Sequence, residues 1–113
     1  MSDCLFCAIA RREVAADVVH DGDDTIAIRD INPQAPTHIL VIPRRHVASV
    51  HELREEDAAT WMRLLQVAQD LAESEGIGGG YRLVANVGRG GGQTVDHLHL
   101  HLLGGRQMTW PPG

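Results

Sequence analysis

Polar and apolar residues alternate strictly through His97-Leu98-His99-Leu100-His101-Leu102, a period of two that only an extended backbone turns into two distinct faces. The three imidazoles share one face, about 7 Å apart at a rise of roughly 3.3 to 3.4 Å per residue, and the leucines share the other. A one-residue slip would bury the rings and expose the leucines, so the apolar face pins the register. The pattern predicts a strand over residues 95–103. A helical period appears instead at Ala58, Trp61, Leu65, Ala68 and Ala72, predicting one long helix over residues 55–75 that Gly76 ends. Leu5, Phe6, Ala8 and Ile9 predict a short amphipathic helix. Residues 14–20 and 25–30 flank Asp21-Gly22-Asp23 as a hairpin, residues 39–42 form a continuous apolar run closed by Pro43, and residues 81–87 form a further strand. Short polar connections between most of the five strands predict an α+β fold, an antiparallel meander with helices on one side.

Length and charge narrow the function classes. The 113 residues are expected to form a single domain spanning 1–113. A formal net charge of -5 argues against nucleic-acid binding, which draws its affinity from clustered cations, and the pairs Arg11-Arg12 and Arg44-Arg45 are too short to reverse that. No apolar run approaches the roughly 20 residues of a spanning helix, so no membrane role is expected. The opening Met1-Ser2-Asp3-Cys4 has neither the basic nor the apolar region of a signal peptide, and the expectation is a cytoplasmic protein.

Three constellations carry candidate chemistry. Cys4 and Cys7, the only two cysteines, are too close and too few for a disulfide framework. Such a pair binds metal, packs as core thiols or does redox chemistry; it opens the chain rather than following a strand in a βαβ unit, which weakens the redox reading. A closed zinc site would need two more ligands, for which His46 and His97 are candidates that spacing alone does not select. The alternating histidines suit a nucleophile, a proton carrier or a three-imidazole metal site. Gly88-Arg89-Gly90-Gly91-Gly92-Gln93-Thr94 is neither a P-loop nor a dinucleotide fingerprint, since it lacks Gly-Lys-Ser/Thr and a strand follows it. It delivers Gln93 and Thr94 directly before the histidines, where amides and a hydroxyl could meet whatever the imidazoles attack.

With these residues on the page, the chain resembles the histidine triad (HIT) family, whose signature is His-x-His-x-His-x-x with apolar x. The match extends through Asp30-Ile31-Asn32-Pro33-Gln34-Ala35-Pro36-Thr37-His38 to Pro43, through Tyr81-Arg82-Leu83-Val84-Ala85-Asn86, and to the ending Trp110-Pro111-Pro112-Gly113. That ending is similar to the Hint branch, histidine-triad nucleotide-binding proteins that act as purine nucleoside phosphoramidases. The resemblance implies two five-stranded antiparallel sheets joined in a homodimer, each chain with one long and one short helix. It implies a purine nucleoside monophosphate or phosphoramidate as substrate, with Asp30 on the ribose hydroxyls and Leu5, Phe6, Ile9, Ile28 and Ile31 around the base. Asn86, Gly92, Gln93, Thr94, His99 and His101 would meet the phosphate, with His99 as nucleophile, His101 and Gln93 as donors, His38 as the fourth active-site histidine and Thr94 as a hydroxyl near the leaving group. It also implies one structural zinc per chain on Cys4, Cys7, His46 and His97, and no requirement for a catalytic metal. Thr94 stands where Hint proteins usually have serine, and Ile28 where familiar members have a bulkier aromatic. A dinucleoside-polyphosphate hydrolase, an adenylyl transferase and a nucleotide-binding interaction module with little turnover are the alternative readings.

Overall fold

The computed structural model describes residues 4–113. Helix α1 (Leu5–Ala10) is followed by strands β1 (Val18–Asp21), β2 (Thr25–Arg29) and β3 (Thr37–Pro43), helix α2 (Ala58–Ser74), and strands β4 (Tyr81–Val84) and β5 (Leu100–Gly104). All strand pairs are antiparallel, in the spatial order β1-β2-β3-β5-β4. The fold is α+β as expected, but the sheet is not a meander. β5 returns between β3 and β4, so the histidine-bearing strand is flanked on both sides and β4 forms an outer edge.

The predicted alternation survives and decides the layering. Leu98, Leu100 and Leu102 are essentially inaccessible and pack with Ala27, Ile39 and Val41 under the α2 residues Leu64, Val67, Ala68 and Leu71. At about 1.5–3 kcal/mol per fully buried aliphatic side chain, this cluster is the main source of stability. The opposite face, carrying Ile26, Ile28, Leu40 and Ile42, is covered by Phe6 and Ile9 of α1. The helices therefore lie on opposite faces, correcting the one-sided arrangement. β3 supplies both clusters and is buried along its whole length.

Local chemistry sets the ends. Ladder pairing of β3 with β5 stops at Val41 and Leu100, two residues before Pro43, which has no N–H to give. His97 and His99 thus lie in the run leading into β5 rather than in the strand predicted for 95–103, and Leu98 N–H instead donates to the Val47 carbonyl at 2.6 Å. α2 ends in a Schellman pattern: Gly76 takes φ +76°, its N–H reaching Glu73 and that of Ile77 reaching Ala72. Its buried stripe is Leu64, Val67, Ala68, Leu71 and Ala72, about one residue round from the predicted one, leaving Ala58 exposed and Trp61 and Leu65 half-buried. Residues 14–17 and 85–87, expected in strands, lie outside β1 and β4.

Candidate active site and metal-ligand group

Each triad histidine is held by a different partner, and the partner sets its tautomer. His97 is fully buried; its Nε2–H donates to the Pro43 carbonyl at 2.8 Å, which leaves Nδ1 as a bare lone pair. His99 turns the other way, donating Nδ1–H to the His97 carbonyl at 2.7 Å, so its Nε2 is the unprotonated nitrogen available to a ligand. Phe6 of α1 stands edge-on to both rings, its centroid 6.0 Å from His97 and 5.0 Å from His99. His38, from β3, accepts the Gln34 backbone N–H on Nδ1 at 3.0 Å. Its proton therefore lies on Nε2, 2.9 Å from Nδ1 of His101, and His101 in turn carries its proton on a buried Nε2 that has no partner among the described residues.

Burial favours the neutral form of His38, His97 and His101. It pushes His101 down to about 4, with the nearby His99 and His38 adding to the effect and Asp30 opposing it. His38 is lowered by the same cause, again opposed by Asp30, whose Oδ2 lies 3.4 Å from its Nε2. Burial also lowers His97.

His99 and His101 line a cavity of about 370 Å³ between α1 and the ends of the sheet. Of the nucleotide-site residues expected from sequence, Leu5, Phe6, Ile9, Ile28, Asp30, Ile31 and Thr94 line it as well; Asn86, Gly92 and Gln93 do not. Gln93 is not positioned as a phosphoryl donor. Both hydrogens of its Nε2 are committed to the Ala48 and Val95 carbonyls, at 2.7 and 2.9 Å, its Oε1 accepts Gly88 N–H, and its own N–H goes to the Gly88 carbonyl. It is a strut that closes the glycine-rich loop. Thr94 lines both the cavity and an adjoining cleft with Arg89 and Asp96. Sequence reasoning missed Leu40, Arg29, Val95 and the segment 14–16 as walls; Leu40 was readable as two residues beyond His38 on the same strand face. A second cleft of about 370 Å³, lined by Asp23, Arg45 and Arg63 among others, contains no histidine.

A family model described as the HIT domain matches residues 11–108. The chain belongs to the HIT domain family. It is 50% identical to a HIT-like protein of Synechococcus elongatus over 111 residues, 98% of this chain and 97% of that one. The crystal structure of a HIT family hydrolase from Legionella pneumophila is similar at a TM-score of 0.97 and 54% identity, covering 98% of this chain and all of the other. A histidine triad nucleotide-binding protein from Candida albicans matches at a TM-score of 0.80 and 30% identity, covering 88% and 73%.

Beside the histidine-lined cavity of this HIT domain, a second cluster forms around His97. The donor atoms of Cys4, Cys7, His46 and His97 all lie within 4.8 Å of one another, which makes this a group able to hold a metal ion. Cys4 caps α1, its Sγ accepting Cys7 N–H, so the helix turn itself brings the two sulfurs together. Asp30, His38 and His101 also bring three donor atoms within 4.8 Å, but Gln34 places the His38 proton on Nε2, the atom a metal would need. That trio shares protons.

The depressed basicity of His101 has a measurable sign. Its ring should stay neutral, as judged by NMR titration, until the pH approaches 4. An unfolded histidine protonates near 6.5, so between about 6.5 and 4 the unfolded chain binds more protons and stability is lost as pH falls. A His101 resonance titrating with a midpoint near 6.5 in the folded protein would contradict the assignment.

Proposed function

We propose that this HIT protein is a nucleotidyl hydrolase of the Hint type that cleaves P–N bonds of purine nucleoside phosphoramidates. The observation that carries the reading is the tautomer of His99: with Nδ1–H given to the His97 carbonyl, its Nε2 lone pair is the nucleophilic atom facing a cavity lined by apolar side chains and Asp30. The hydrolase and nucleotide-binding names of the structural relatives support the same class.

In this scheme the apolar wall of Leu5, Phe6, Ile9, Ile28 and Ile31 takes the base, and Asp30 accepts from the ribose hydroxyls. His99 Nε2 attacks the α-phosphorus; the P–N bond breaks and the leaving amine departs with a proton taken from solvent, giving a nucleotidyl-histidine, and the water of the second step returns one. His101 Nε2–H, neutral and otherwise unpartnered, donates to a phosphoryl oxygen as charge builds there. Water then attacks the phosphorus, breaking the bond to Nε2 and releasing the nucleoside monophosphate. Thr94 lines both the cavity and the adjoining cleft, and in this scheme its hydroxyl serves the leaving group.

The metal of the four-residue group is proposed to be zinc. Bonds of about 2.3 Å to sulfur and 2.0–2.1 Å to nitrogen separate tetrahedral donors by roughly 3.3 to 3.8 Å. Here the Cys4–His97, Cys7–His46, Cys7–His97 and His46–His97 donor atoms are 3.2, 3.4, 3.5 and 3.1 Å apart. The Pro43 carbonyl holds the far nitrogen of His97, the support a ligating imidazole needs. Such an ion supplies structural cross-linking between α1 and the histidine run.

A homodimer is proposed on the exposed flank. β4 is an outer strand of the sheet, and α2 leaves Met62 exposed and Trp61 and Leu65 half-buried. Trp110 is 83% exposed and suited to reach a partner's site.

Three measurements test these readings. His99→Ala should lower kcat on a nucleoside phosphoramidate by at least about a thousandfold while nucleoside monophosphate still binds, and acid-quenched mass spectrometry should place a nucleotidyl group on His99 of the parent alone. An adduct on His101 or His38, or faster turnover on P–O–P than on P–N substrates, contradicts the proposal. Elemental analysis should give one zinc per chain, lost with several kcal/mol of stability in Cys4→Ser/Cys7→Ser; unchanged stability without metal contradicts that part. Light scattering at micromolar protein should report twice the chain mass, and a monomer there rules out the dimer.

A further inference from the structure

His38 Nδ1 points back into the connection between β2 and β3, and the atom it meets is the Gln34 N–H. A backbone N–H only donates, so this single contact forces the His38 proton onto Nε2 and, one ring further on, the His101 proton onto Nε2. Were the Gln34 amide to move away, His38 could carry its proton on Nδ1 and accept at Nε2 from His101 Nδ1–H. His101 would then carry a bare Nε2, an acceptor instead of a donor.

What holds the Gln34 amide in place is therefore a question about the reaction. The loop is exposed at Ile31, Asn32, Pro33, Gln34 and Pro36. Two of its hydrogen bonds are internal and move with it: Asn32 N–H to Asp30 Oδ1 at 2.8 Å, and Gln34 Nε2–H to the Asn32 carbonyl at 3.0 Å. At its base Asp30 N–H donates to the His38 carbonyl at 2.9 Å and Ala35 is buried, and two further contacts come from the end of β5. Arg106 Nε–H donates to the Gln34 carbonyl at 3.0 Å. Gly105, at φ +89°, lies so close to Pro36 that a Cβ there would stand 2.9 Å from the proline ring.

We propose that Gly105 and Arg106 clamp this loop so that its Gln34 amide selects the His38 and His101 tautomers, which makes Arg106 a positioning residue for the reaction. The inference rests on the hydrolase reading above and adds to it a residue that does not line the cavity. The circuit is closed on one strand: β5 carries His101 at one point and leads into Arg106 at its end, and the path between them runs through Gln34 and His38. Asp30 Oδ2, 3.4 Å from His38 Nε2, favours the same tautomer, so loss of the clamp weakens the selection without abolishing it.

The test uses the full-length, metal-loaded protein with ¹⁵N-labelled histidine and adenosine 5′-phosphoramidate as substrate. In Arg106→Ala the imidazole ¹⁵N signals of His38 and His101 should shift from one tautomer toward a mixture, and kcat should fall about tenfold with KM nearly unchanged. Arg106→Lys, which keeps a donor for the Gln34 carbonyl, should recover part of both. In a His38→Phe background, where no tautomer remains to select, Arg106→Ala should have no further effect. Unchanged imidazole signals in Arg106→Ala, or the same loss of rate with and without His38, overturns the proposal. The spectra need no turnover, so a parent protein inactive on the phosphoramidate would remove the reaction while the tautomer claim is still judged by its own readout.

Discussion

The antiparallel register that sets Ile39 opposite Leu102, and Val41 opposite Leu100, is the constraint on which the remaining structure depends. It commits the leucines to the core beneath α2, and the pleat then sends the histidines to the α1 face. A slip by one residue would put three imidazoles into an aliphatic cluster and strand the leucines against Phe6. The cost of burying unsatisfied polar rings makes that alternative far higher in energy. Chemistry and stability are thus specified by the same strand, one on each face.

Hydrogen bonding, to main-chain carbonyls for His97 and His99 and to His38 for His101, then does what the period alone does not: it makes three identical side chains chemically different. His97 donates from Nε2 and keeps Nδ1 bare, toward the cysteines; His99 donates from Nδ1 and keeps Nε2 bare, toward the cavity; His101 receives on Nδ1 and carries its proton on Nε2. The proposed roles of metal ligand, nucleophile and hydrogen-bond donor rest on those three choices. His97 belongs to both centres, because its ring faces the cysteine pair while its carbonyl fixes His99. The cysteine-histidine cluster and the histidine-lined cavity are thus linked through a single residue.

Two sites of local strain or closure support this arrangement. The glycine-rich loop is shut by Gln93, whose buried amide satisfies the carbonyls of Ala48 and Val95, and it leaves Thr94 at the cavity rim. The β2–β3 connection is held against β5 by Gly105 and Arg106. Both devices turn exposed loops into fixed frames for polar groups, the condition under which donors stabilise developing charge without first reorganising.

The sequence by itself determined the elements and the two faces of the histidine run, because a period of two is a local property that any extended backbone expresses. It also located the long helix and its stop at Gly76, and the hairpin at Asp21-Gly22-Asp23, since caps and turns are decided by a few neighbouring residues. Through family resemblance it named Cys4, Cys7, His46 and His97 together, while spacing left the last two open. Only the tertiary structure decided that β5 lies between β3 and β4, that the helices take opposite faces, and that Gln93 is a strut rather than a donor. Those outcomes depend on contacts between residues tens of positions apart, such as Gln93 with Ala48 or Arg106 with Gln34, for which a linear pattern carries no signal. The tautomers belong to the same class: they follow from where the carbonyls of Pro43 and His97 and the amide of Gln34 fall in space.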